Sequence, residues 1–275
     1  MREVTTANIA EHLIELGVEP SDGLLVHSAL QFLGRPQAGV ETYLQAFSQV
    51  LNIAIPSLKL NINPDLPQGT LAVPTFNFDF ARGQDYDPNQ TPSQGMGVFT
   101  ESVRCLPEAR RTPHPLQSLA VIGAQAQELA CLNTAGAFDT GSAFERLLEL
   151  DFSILLLGAD IQSVSLLHYS EQRASVPYRF WKNFTGRVRH GQAWETRTYR
   201  MYARDMQIDA RLEIHAIQDL LEARRQWRQI RLNYGWLSLC KARDFTAAAD
   251  ELLAQDPWIF VTNRPTWTGS VPTYP

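Results

Sequence analysis

Residues 163–173, SVSLLHYSEQR, combine a histidine with a hydroxyl and a carboxylate at short spacing. On a helix that turns about 100° per residue, Ser165 and His168 lie on one side and Glu171 lies on the flank. A neutral imidazole there can accept a proton, and a carboxylate on its far nitrogen would fix the tautomer and raise its basicity. The same spacing is also typical of an ordinary amphipathic helix with a capped or core-edge histidine. Local spacing alone favours that structural interpretation.

Four short apolar runs predict the strands that would position such residues. They read GLLVHSAL, GTLAVPTFNF, SLAVIGA and FSILLLGA, and helical segments alternate with them. This alternation is typical of a mixed α/β fold with a largely parallel sheet flanked by helices. Ligands of open α/β sheets bind beyond the carboxyl ends of the strands. The polar groups at these ends are His27, Ser28, Thr75, Asn77 and residues 160–168, which we therefore expect to converge.

Two polar segments between the strands could contribute to a site. Residues 81–95, ARGQDYDPNQTPSQG, predict a long loop, and loops of that length more often form a site or lid than a simple connection. In RRTPHP, the arginines Arg110 and Arg111 stand beside Thr112 and His114, so they could bind a phosphate. A basic turn that faces water is the simpler interpretation of the second segment, and the segment by itself favours it.

Composition excludes several classes of function. The 275 residues are 44% hydrophobic and 19% charged with a formal net charge of −5, which fits a folded protein and lacks the basic footprint of nucleic-acid binding. The three cysteines are scattered without a CxxC pair or zinc-ligand spacing, which favours a reducing compartment and no metal. The N-terminus lacks a signal-peptide core and no segment approaches membrane-spanning length. We expect a cytoplasmic protein that binds neither nucleic acid nor membrane.

The pattern changes after about residue 180. GRVRHGQAWETRTYRMYARD alternates apolar or aromatic with charged residues, which predicts a smaller antiparallel β-ribbon. One or two helices and a proline- and tryptophan-rich tail follow it. No linker separates these parts, so we expect one domain over residues 1–275, with a catalytic core in 1–180 and acceptor-side elements in 181–275.

Six segments occur in an order that is more specific than any one of them. They are LLVHSALQFLG, GTLAVPTFNF, DYDPNQTPSQGMGVFTESVR, RRTPHPLQSLAVIGAQA, DTGSAFERLLELDFSILLLGA and SVSLLHYSEQRASVPYR. Over residues 5–180 the chain resembles the aminoglycoside 3-N-acetyltransferase family. The resemblance implies a fold that is neither GNAT nor a left-handed β-helix. It also implies direct transfer of an acyl group from acyl-coenzyme A to an amine without an acyl-enzyme or a metal, in a protein that could form a homodimer.

The resemblance assigns roles to individual residues. His168 matches the family's catalytic histidine, Glu171 the glutamate of the same block, and Ser165 its threonine, whose hydroxyl is retained. Glu101 is the second candidate to orient His168. The residues assigned to the coenzyme are His27, Ser28, Ala29, Leu30, Thr75, Arg111, Thr112, His114 and Ser118. Those assigned to the acceptor are Asp87, Glu101, Tyr178, Arg179 and Trp181.

The acceptor is the least constrained part of this prediction. Arginines and aromatic residues are frequent after residue 175, and guanidinium groups hold phosphates while rings stack on bases. They favour a nucleotide-linked amino sugar, a dTDP-amino-deoxyhexose of surface-polysaccharide (lipopolysaccharide O-antigen) synthesis, unless they are simply the solvated face of the ribbon. The alternative acceptor is an aminoglycoside antibiotic, which requires an acidic cleft. A third alternative is a non-catalytic binding or scaffolding protein that keeps the fold.

Overall fold

The computed structural model describes residues 2–264. Its strands are β1 (Glu3–Val4), β2 (Gly23–Ser28), β3 (Arg35–Pro36), β4 (Thr70–Pro74), β5 (Arg110–Arg111), β6 (Leu119–Gly123), β7 (Ser153–Leu157), β8 (Arg179–His190), β9 (Ala193–Arg204), β10 (Arg228–Leu232) and β11 (Gly235–Lys241). Its α-helices are α1 (Thr6–Glu15), α2 (Glu41–Val50), α3 (Gly97–Arg104), α4 (Ala126–Ala130), α5 (Ala143–Glu149), α6 (Leu167–Arg173), α7 (His215–Ala223) and α8 (Ala242–Gln255). Most of the proline- and tryptophan-rich tail lies outside the described residues.

The central sheet has seven strands in the order β10-β11-β7-β2-β4-β6-β5. Its three middle strands are parallel, because β2 pairs in parallel with both β7 and β4. The outer pairs are antiparallel. The predicted mixed α/β sheet is confirmed, and its parallel part is the centre. The carboxyl ends of β7, β2 and β4 therefore meet at one edge of the sheet.

Helices cover both faces of this sheet, which explains why its central strands read as continuous apolar runs. Along β7, Ile154 and Leu156 face a core shared with α5, α6 and α8, whereas Leu155 and Leu157 face a core shared with α1 and α2. Every residue of β7 is buried. The strand that leads to the histidine segment is thus held from both sides.

The predicted antiparallel ribbon is confirmed as the pair β8 and β9, each 12 residues long. It lies outside the central sheet and packs over Phe80, Tyr86 and Leu116. Isolated bridges connect it to two loops, at Tyr86 with Val188 and at Gly136 with Arg200. The boundary expected between residues 180 and 181 falls inside β8, so the ribbon begins in the segment that also carries the histidine block.

Within residues 2–264, no helix is both long and apolar enough to cross a bilayer. Over the same residues, no group of three or more histidine, cysteine, aspartate or glutamate side chains is placed to hold a metal ion.

Candidate active site

The path from β7 to α6 brings the histidine to the carboxyl edge of the sheet. After β7, Gly158 adopts a left-handed φ of 74°, and a β-carbon there would lie 2.7 Å from the carbonyl oxygen of Ala29. This close approach of backbones joins the ends of β7 and β2. Asp160 then caps a short 3₁₀ turn by accepting a hydrogen bond from the backbone N–H of Gln162 at 2.9 Å. Helix α6 begins at Leu167, so Ser165 lies in the turn before the helix rather than on it.

His168 and Glu171 form a hydrogen-bonded pair on α6. The Nδ1 of His168 lies 2.7 Å from Oε2 of Glu171. The imidazole is 31% exposed and the carboxylate is fully buried. With an ionised Glu171 as hydrogen-bond acceptor, Nδ1 carries the proton and donates it, which leaves the Nε2 lone pair free to accept another proton.

Arg179, the first residue of β8, completes this pair. Its Nε lies 2.9 Å from Oε2 of Glu171, and its Nη2 lies 3.2 Å from Nδ1 of His168. Burial by itself would raise the pKa of Glu171, but the hydrogen bond from His168 and the charge of Arg179 outweigh it and lower that pKa below its usual value. Glu171 is therefore a buried, ionised carboxylate. The sequence assigned Arg179 to the acceptor, whereas the structure turns its guanidinium toward the pair.

Ser165 places a hydroxyl just before the helix that carries His168. Its side chain is buried, and its Oγ finds no hydrogen-bond partner within residues 2–264. A buried hydroxyl without a partner is costly, and such groups mark places where a ligand can supply the missing bond.

The residues of the HSAL segment lie at the junction of β2 and β7, as the strand ends predict. Ser28 forms a bridge with Gly158, and the N–H of Ala29 donates to the carbonyl of Leu157 at 3.0 Å. Leu30 begins a 3₁₀ turn. Burial lowers the pKa of His27 to about 3, so its ring is neutral, and its Nε2 has no hydrogen-bond partner in the described part of the chain.

Arg111, Thr75 and Ser118 come together, but they brace a loop. The Nε of Arg111 donates to Oγ1 of Thr75 at 3.1 Å and to Oγ of Ser118 at 3.0 Å. Its Nη2 donates to the carbonyl of Thr75 at 2.6 Å, and its Nη1 donates to the carbonyl of Thr91. The guanidinium also lies over the ring of Tyr86, 5.2 Å from its centroid. Donors used in this way hold residues 86–91 against β4 rather than face a phosphate.

Thr112 and His114 are likewise committed to their own loop. Oγ1 of Thr112 accepts a hydrogen bond from the N–H of Leu119 at 2.8 Å. Nδ1 of His114 accepts one from the N–H of Gln117 at 3.1 Å, and burial lowers the pKa of His114 to about 4. The neutral ring of His114 packs edge-on against Tyr199, a residue of the ribbon.

Asp87 and Glu101 anchor the long loop that the sequence predicts. Asp87 is buried and pairs with Arg189 of the ribbon at 2.9 Å. Glu101 pairs with Arg104 at 2.6 Å and accepts hydrogen bonds from the N–H and the hydroxyl of Ser93. The carboxylate that orients His168 is therefore Glu171, and Glu101 serves the loop.

A cleft of about 570 Å³ opens beside the histidine. Its lining residues are Phe138, Asp139, Thr140, Glu145, Tyr169, Gln172, Arg173, Trp181 and Arg200. Phe138 connects the cleft to the pair on α6, because its ring packs edge-on against His168 with centroids 5.8 Å apart. Of the residues that the sequence assigns to the acceptor, Trp181 lines the cleft, whereas Tyr178 is buried and packs against Trp258.

Sequence reasoning missed the two carboxylates of this cleft. Asp139 accepts hydrogen bonds from Gln172 at 3.0 Å and from Arg200 at 3.1 Å. Glu145 accepts one from the hydroxyl of Tyr169 at 3.2 Å. Both carboxylates belong to the segment that begins DTGSAFER, one of the six ordered segments, so the signal was present but no residue in it was selected.

Comparison with known proteins identifies the family of this chain. The family model of the aminoglycoside 3-N-acetyltransferases matches residues 25–254. The chain belongs to this family. Aminoglycoside N(3)-acetyltransferase III of Salmonella sp is 31% identical over 199 residues, which is 70% of each chain. Aminoglycoside N(3)-acetyltransferase IV of Salmonella sp is 26% identical over 263 residues, which is 93% of this chain and 89% of that protein.

Solved structures agree on the fold. The binary complex of AAC-IIIb with CoASH is 22% identical, has a TM-score of 0.77, and covers 96% of this chain and 100% of that chain. As a member of the aminoglycoside 3-N-acetyltransferase family, the protein is an acyl-CoA-dependent N-acyltransferase, and acyl-coenzyme A is its co-substrate. The predicted reaction class and the exclusion of the GNAT fold are confirmed.

The predicted nucleotide-linked acceptor is wrong. The family and the relatives above are named for aminoglycosides, not for sugar nucleotides or polysaccharide synthesis. The physical reason is that the arginines which suggested an anionic acceptor already face carboxylates. The pairs are Arg179 with Glu171, Arg187 with Asp85, Arg189 with Asp87, Arg197 with Glu195, and Arg200 with Asp139. A guanidinium with its own counter-charge is not free to hold a phosphate.

Proposed function

We propose that this protein transfers the acetyl group of acetyl-coenzyme A to the 3-amino group of an aminoglycoside. The observation that carries the proposal is the pair of His168 and buried Glu171 beside a cleft that contains Asp139 and Glu145. A general base and a place for ammonium groups are the two features that acetylation of a polyamine requires. Acetyl-coenzyme A is a cytoplasmic metabolite, so we assign the reaction to the cytoplasm.

His168 supplies the base. A protonated sugar amine has no lone pair and cannot attack a thioester, so a proton must leave before or during attack. Nε2 of His168 takes this proton because Nδ1 is held by Glu171. The imidazolium that forms is stabilised by the ionised carboxylate. A base of this kind contributes about 10²- to 10⁴-fold in rate.

Ser165 supplies a donor for the charge that develops on the thioester oxygen. Its Oγ is buried and has no hydrogen-bond partner in the described part of the chain, so it is available to donate when substrate is present. Donors that act on the developing charge, rather than on the ground state, are what accelerate acyl transfer. As the oxyanion collapses, the carbon–sulfur bond breaks and the coenzyme leaves as its thiol. One of the two protons that the ammonium group loses goes to this thiol through His168, and the other is released to solvent.

The junction of β2 and β7 is where we expect the coenzyme arm to lie. His27, Ser28, Ala29 and Leu30 occupy the carboxyl edge of the sheet, which is where open α/β folds bind ligands. The neutral His27 ring fits an uncharged pantetheine chain better than a phosphate. Its Nε2, which is buried without a partner among the described residues, offers a hydrogen bond to an amide of that chain.

The cleft is the proposed site of the aminoglycoside. Asp139 and Glu145 attract ammonium groups. Trp181 is 43% exposed with Arg200 over its ring, 4.4 Å from the centroid, so it can offer a sugar only the part of the ring that Arg200 leaves open. Arg173 and Arg200 line the same cleft, so the formal charges of its two carboxylates and two guanidinium groups cancel. The two carboxylates offer local sites for ammonium groups, although the cleft as a whole is not acidic.

Thiol release from acetyl-coenzyme A tests the proposal directly. Purified protein is mixed with acetyl-coenzyme A and, in separate reactions, with aminoglycosides that differ in their number of amines and with a dTDP-amino sugar. We expect thiol release with one or more aminoglycosides, mass spectra showing a single acetyl group on the 3-amine, and no release from the His168→Ala variant. Absence of release with every aminoglycoside would overturn the proposal, and release with only the sugar nucleotide would do the same.

A further inference from the structure

Arg179 occupies an unusual position for a residue expected to bind substrate. Its side chain is only 10% exposed. One end of its guanidinium, Nε, lies 2.9 Å from Oε2 of Glu171, and another, Nη2, lies 3.2 Å from Nδ1 of His168. Nη1 donates to the carbonyl of Tyr202 at 3.4 Å. The group therefore contacts both members of the pair, and it is not among the residues that line the cleft.

A carboxylate as buried as Glu171 requires a compensating charge. An isolated ionised carboxylate inside a protein is strongly disfavoured, and a group in that position normally takes up a proton instead. The hydrogen bond from His168 compensates in part, but a neutral histidine carries no charge. Arg179 is the cation that faces Glu171 within the described residues.

The second contact of Arg179 bears on the histidine tautomer. Nδ1 of His168 lies within reach of a carboxylate that accepts and a guanidinium that only donates. While Glu171 is ionised, Nδ1–H donates to it and Nε2 is free for the substrate. If Glu171 were protonated, it would no longer accept from Nδ1, and its own O–H would donate to Nδ1 instead. The proton of the neutral ring would then lie on Nε2, and Nε2 could no longer accept a proton from the substrate.

We infer that Arg179 is a positioning residue that keeps Glu171 ionised and thereby holds His168 in the tautomer whose Nε2 can accept a proton. Arg179 acts through its contacts with Glu171 and His168, and it is not one of the residues that line the cleft. The inference deepens the proposed function and rests on it for its kinetic part, whereas its structural part concerns only residues of this chain.

The location of Arg179 also connects the pair to the ribbon. Tyr202, whose carbonyl accepts from Arg179, donates its own hydroxyl to the carbonyl of Val176 at 2.7 Å. The segment between α6 and β8 is thus closed by hydrogen bonds from β9. Arg179, the first residue of the ribbon, places a positive charge next to the base. Trp181 and Arg200, further along the ribbon, line the acceptor cleft.

Four variants test this inference. Arg179→Met and Arg179→Gln remove the charge, and Arg179→Lys keeps it. Arg187→Met is the matched control, because Arg187 lies on the same strand and pairs with exposed Asp85. The first measurement is nitrogen NMR of histidine-labelled protein without either substrate, in which the His168 signal is assigned by its loss in His168→Gln. The second is the pH dependence of kcat/KM for acetyl transfer.

For the wild type and Arg187→Met we expect the Nδ1–H tautomer of His168. For Arg179→Met and Arg179→Gln we expect the tautomer to shift toward Nε2–H and kcat to fall by at least about tenfold, a part of what a general base contributes. Loss of the guanidinium raises the pKa of Glu171, which Arg179 otherwise lowers. The acid limb of kcat/KM therefore moves to higher pH. Arg179→Lys restores most of the wild-type tautomer and profile.

Two results separate this inference from the proposed function. If both neutral variants keep the wild-type tautomer and acid limb, the inference is wrong even where kcat falls, since a structural defect would lower activity without moving either. If the wild type acetylates no aminoglycoside, the proposed function fails, and the NMR measurement still decides the role of Arg179. Should Arg179→Met fail to fold, the polar Arg179→Gln variant carries the test.

Discussion

The Nδ1 of His168 lies 2.7 Å from Oε2 of Glu171, three residues later on the same short helix. The two side chains differ sharply in environment, since the imidazole is 31% exposed and the carboxylate is not exposed at all. Residues three apart on a helix are neighbours on its surface, so the helix itself sets the distance between base and carboxylate. The remainder of the fold needs only to bury the carboxylate and leave the imidazole partly exposed beside Phe138, which lines the cleft.

Removal of the base should abolish most activity without affecting coenzyme binding. For His168→Ala we expect kcat to fall by at least about a hundredfold, which is the lower range for loss of a general base. Acetyl-coenzyme A should bind as in the wild type by calorimetry, because the expected coenzyme segment at the end of β2 is unchanged. His215→Ala is the control, since His215 is an exposed histidine held between Asp160 and Glu213. Full activity in His168→Ala would refute the assignment.

Ser165→Ala should separate activity from stability. The hydroxyl has no hydrogen-bond partner within residues 2–264, so its removal loses no bond and relieves a buried polar group. We expect a melting temperature at or above that of the wild type and a kcat lower by roughly a hundredfold, the cost of losing one donor to a developing oxyanion. Ser165→Thr keeps the hydroxyl and should retain most activity. A drop in stability with unchanged kcat would give Ser165 a structural role instead.

The cleft should respond to charge in opposite directions at Asp139 and Arg200. Arg200 lies 3.1 Å from Asp139 and competes with substrate ammonium groups for it. Arg200→Gln should therefore lower KM for aminoglycosides by about two- to fivefold, the size of an exposed ion pair, and Asp139→Asn should raise KM by at least as much. Both effects should shrink at high salt. Arg187→Gln, whose partner Asp85 is not among the cleft residues, should leave KM unchanged. Equal KM values in all variants would mean that the acceptor binds elsewhere.

Acid should weaken the anchor of the long loop. Partial burial works against ionisation of Glu101, but hydrogen bonds from Arg104 and Ser93 lower the pKa of its carboxyl from 4.5 to about 2. A carboxyl whose pKa is lowered on folding stabilises the protein above its unfolded pKa, and this stability is lost as the pH falls toward the folded value. Glu101→Gln should thus unfold more easily than the wild type at neutral pH, by about 1 kcal/mol after screening at this partly exposed group.

The difference in unfolding free energy between Glu101→Gln and the wild type should narrow as the pH falls from 4.5 toward 2. Urea denaturation followed by tryptophan fluorescence at several pH values measures it, with Glu11→Gln on the exposed side of α1 as the control. A difference that is constant with pH would show that the ionised form of Glu101 has no special role.

The sequence was informative where chemistry and local geometry coincide. His168 and Glu171 share one helical turn, so their contact follows from spacing once the family pattern selects the segment. Convergence of His27 with the segment after β7 was also predictable, because parallel strands place their carboxyl ends at one edge. The strands themselves were recognisable as apolar runs, since helices cover both faces of the sheet.

Contacts between distant segments could not be predicted from one sequence. The ribbon arginines look like a cationic surface until Asp85, Asp87 and Asp139, from two loops far away in sequence, are placed against them. Arg111 looks like a phosphate ligand until its donors are seen to reach the backbone of the loop at Thr91. Ion pairs of this kind depend on which loops the ribbon covers, and the sequence of the ribbon does not indicate which loops these are.

The proposed base and the proposed acceptor cleft are built from different parts of the chain. The base and its carboxylate come from seven residues of α6, whereas the cleft also draws on the 138–145 segment and both strands of the ribbon. Substitutions in that segment or along the outer ribbon can therefore change which amines are accepted while the proton-transfer chemistry stays as it is. Arg179 is the exception, because it belongs to the ribbon by position and to the base by contact. Residues of the ribbon beyond Arg179 can therefore vary and change the acceptor range. Arg179 itself is constrained by its contact with Glu171.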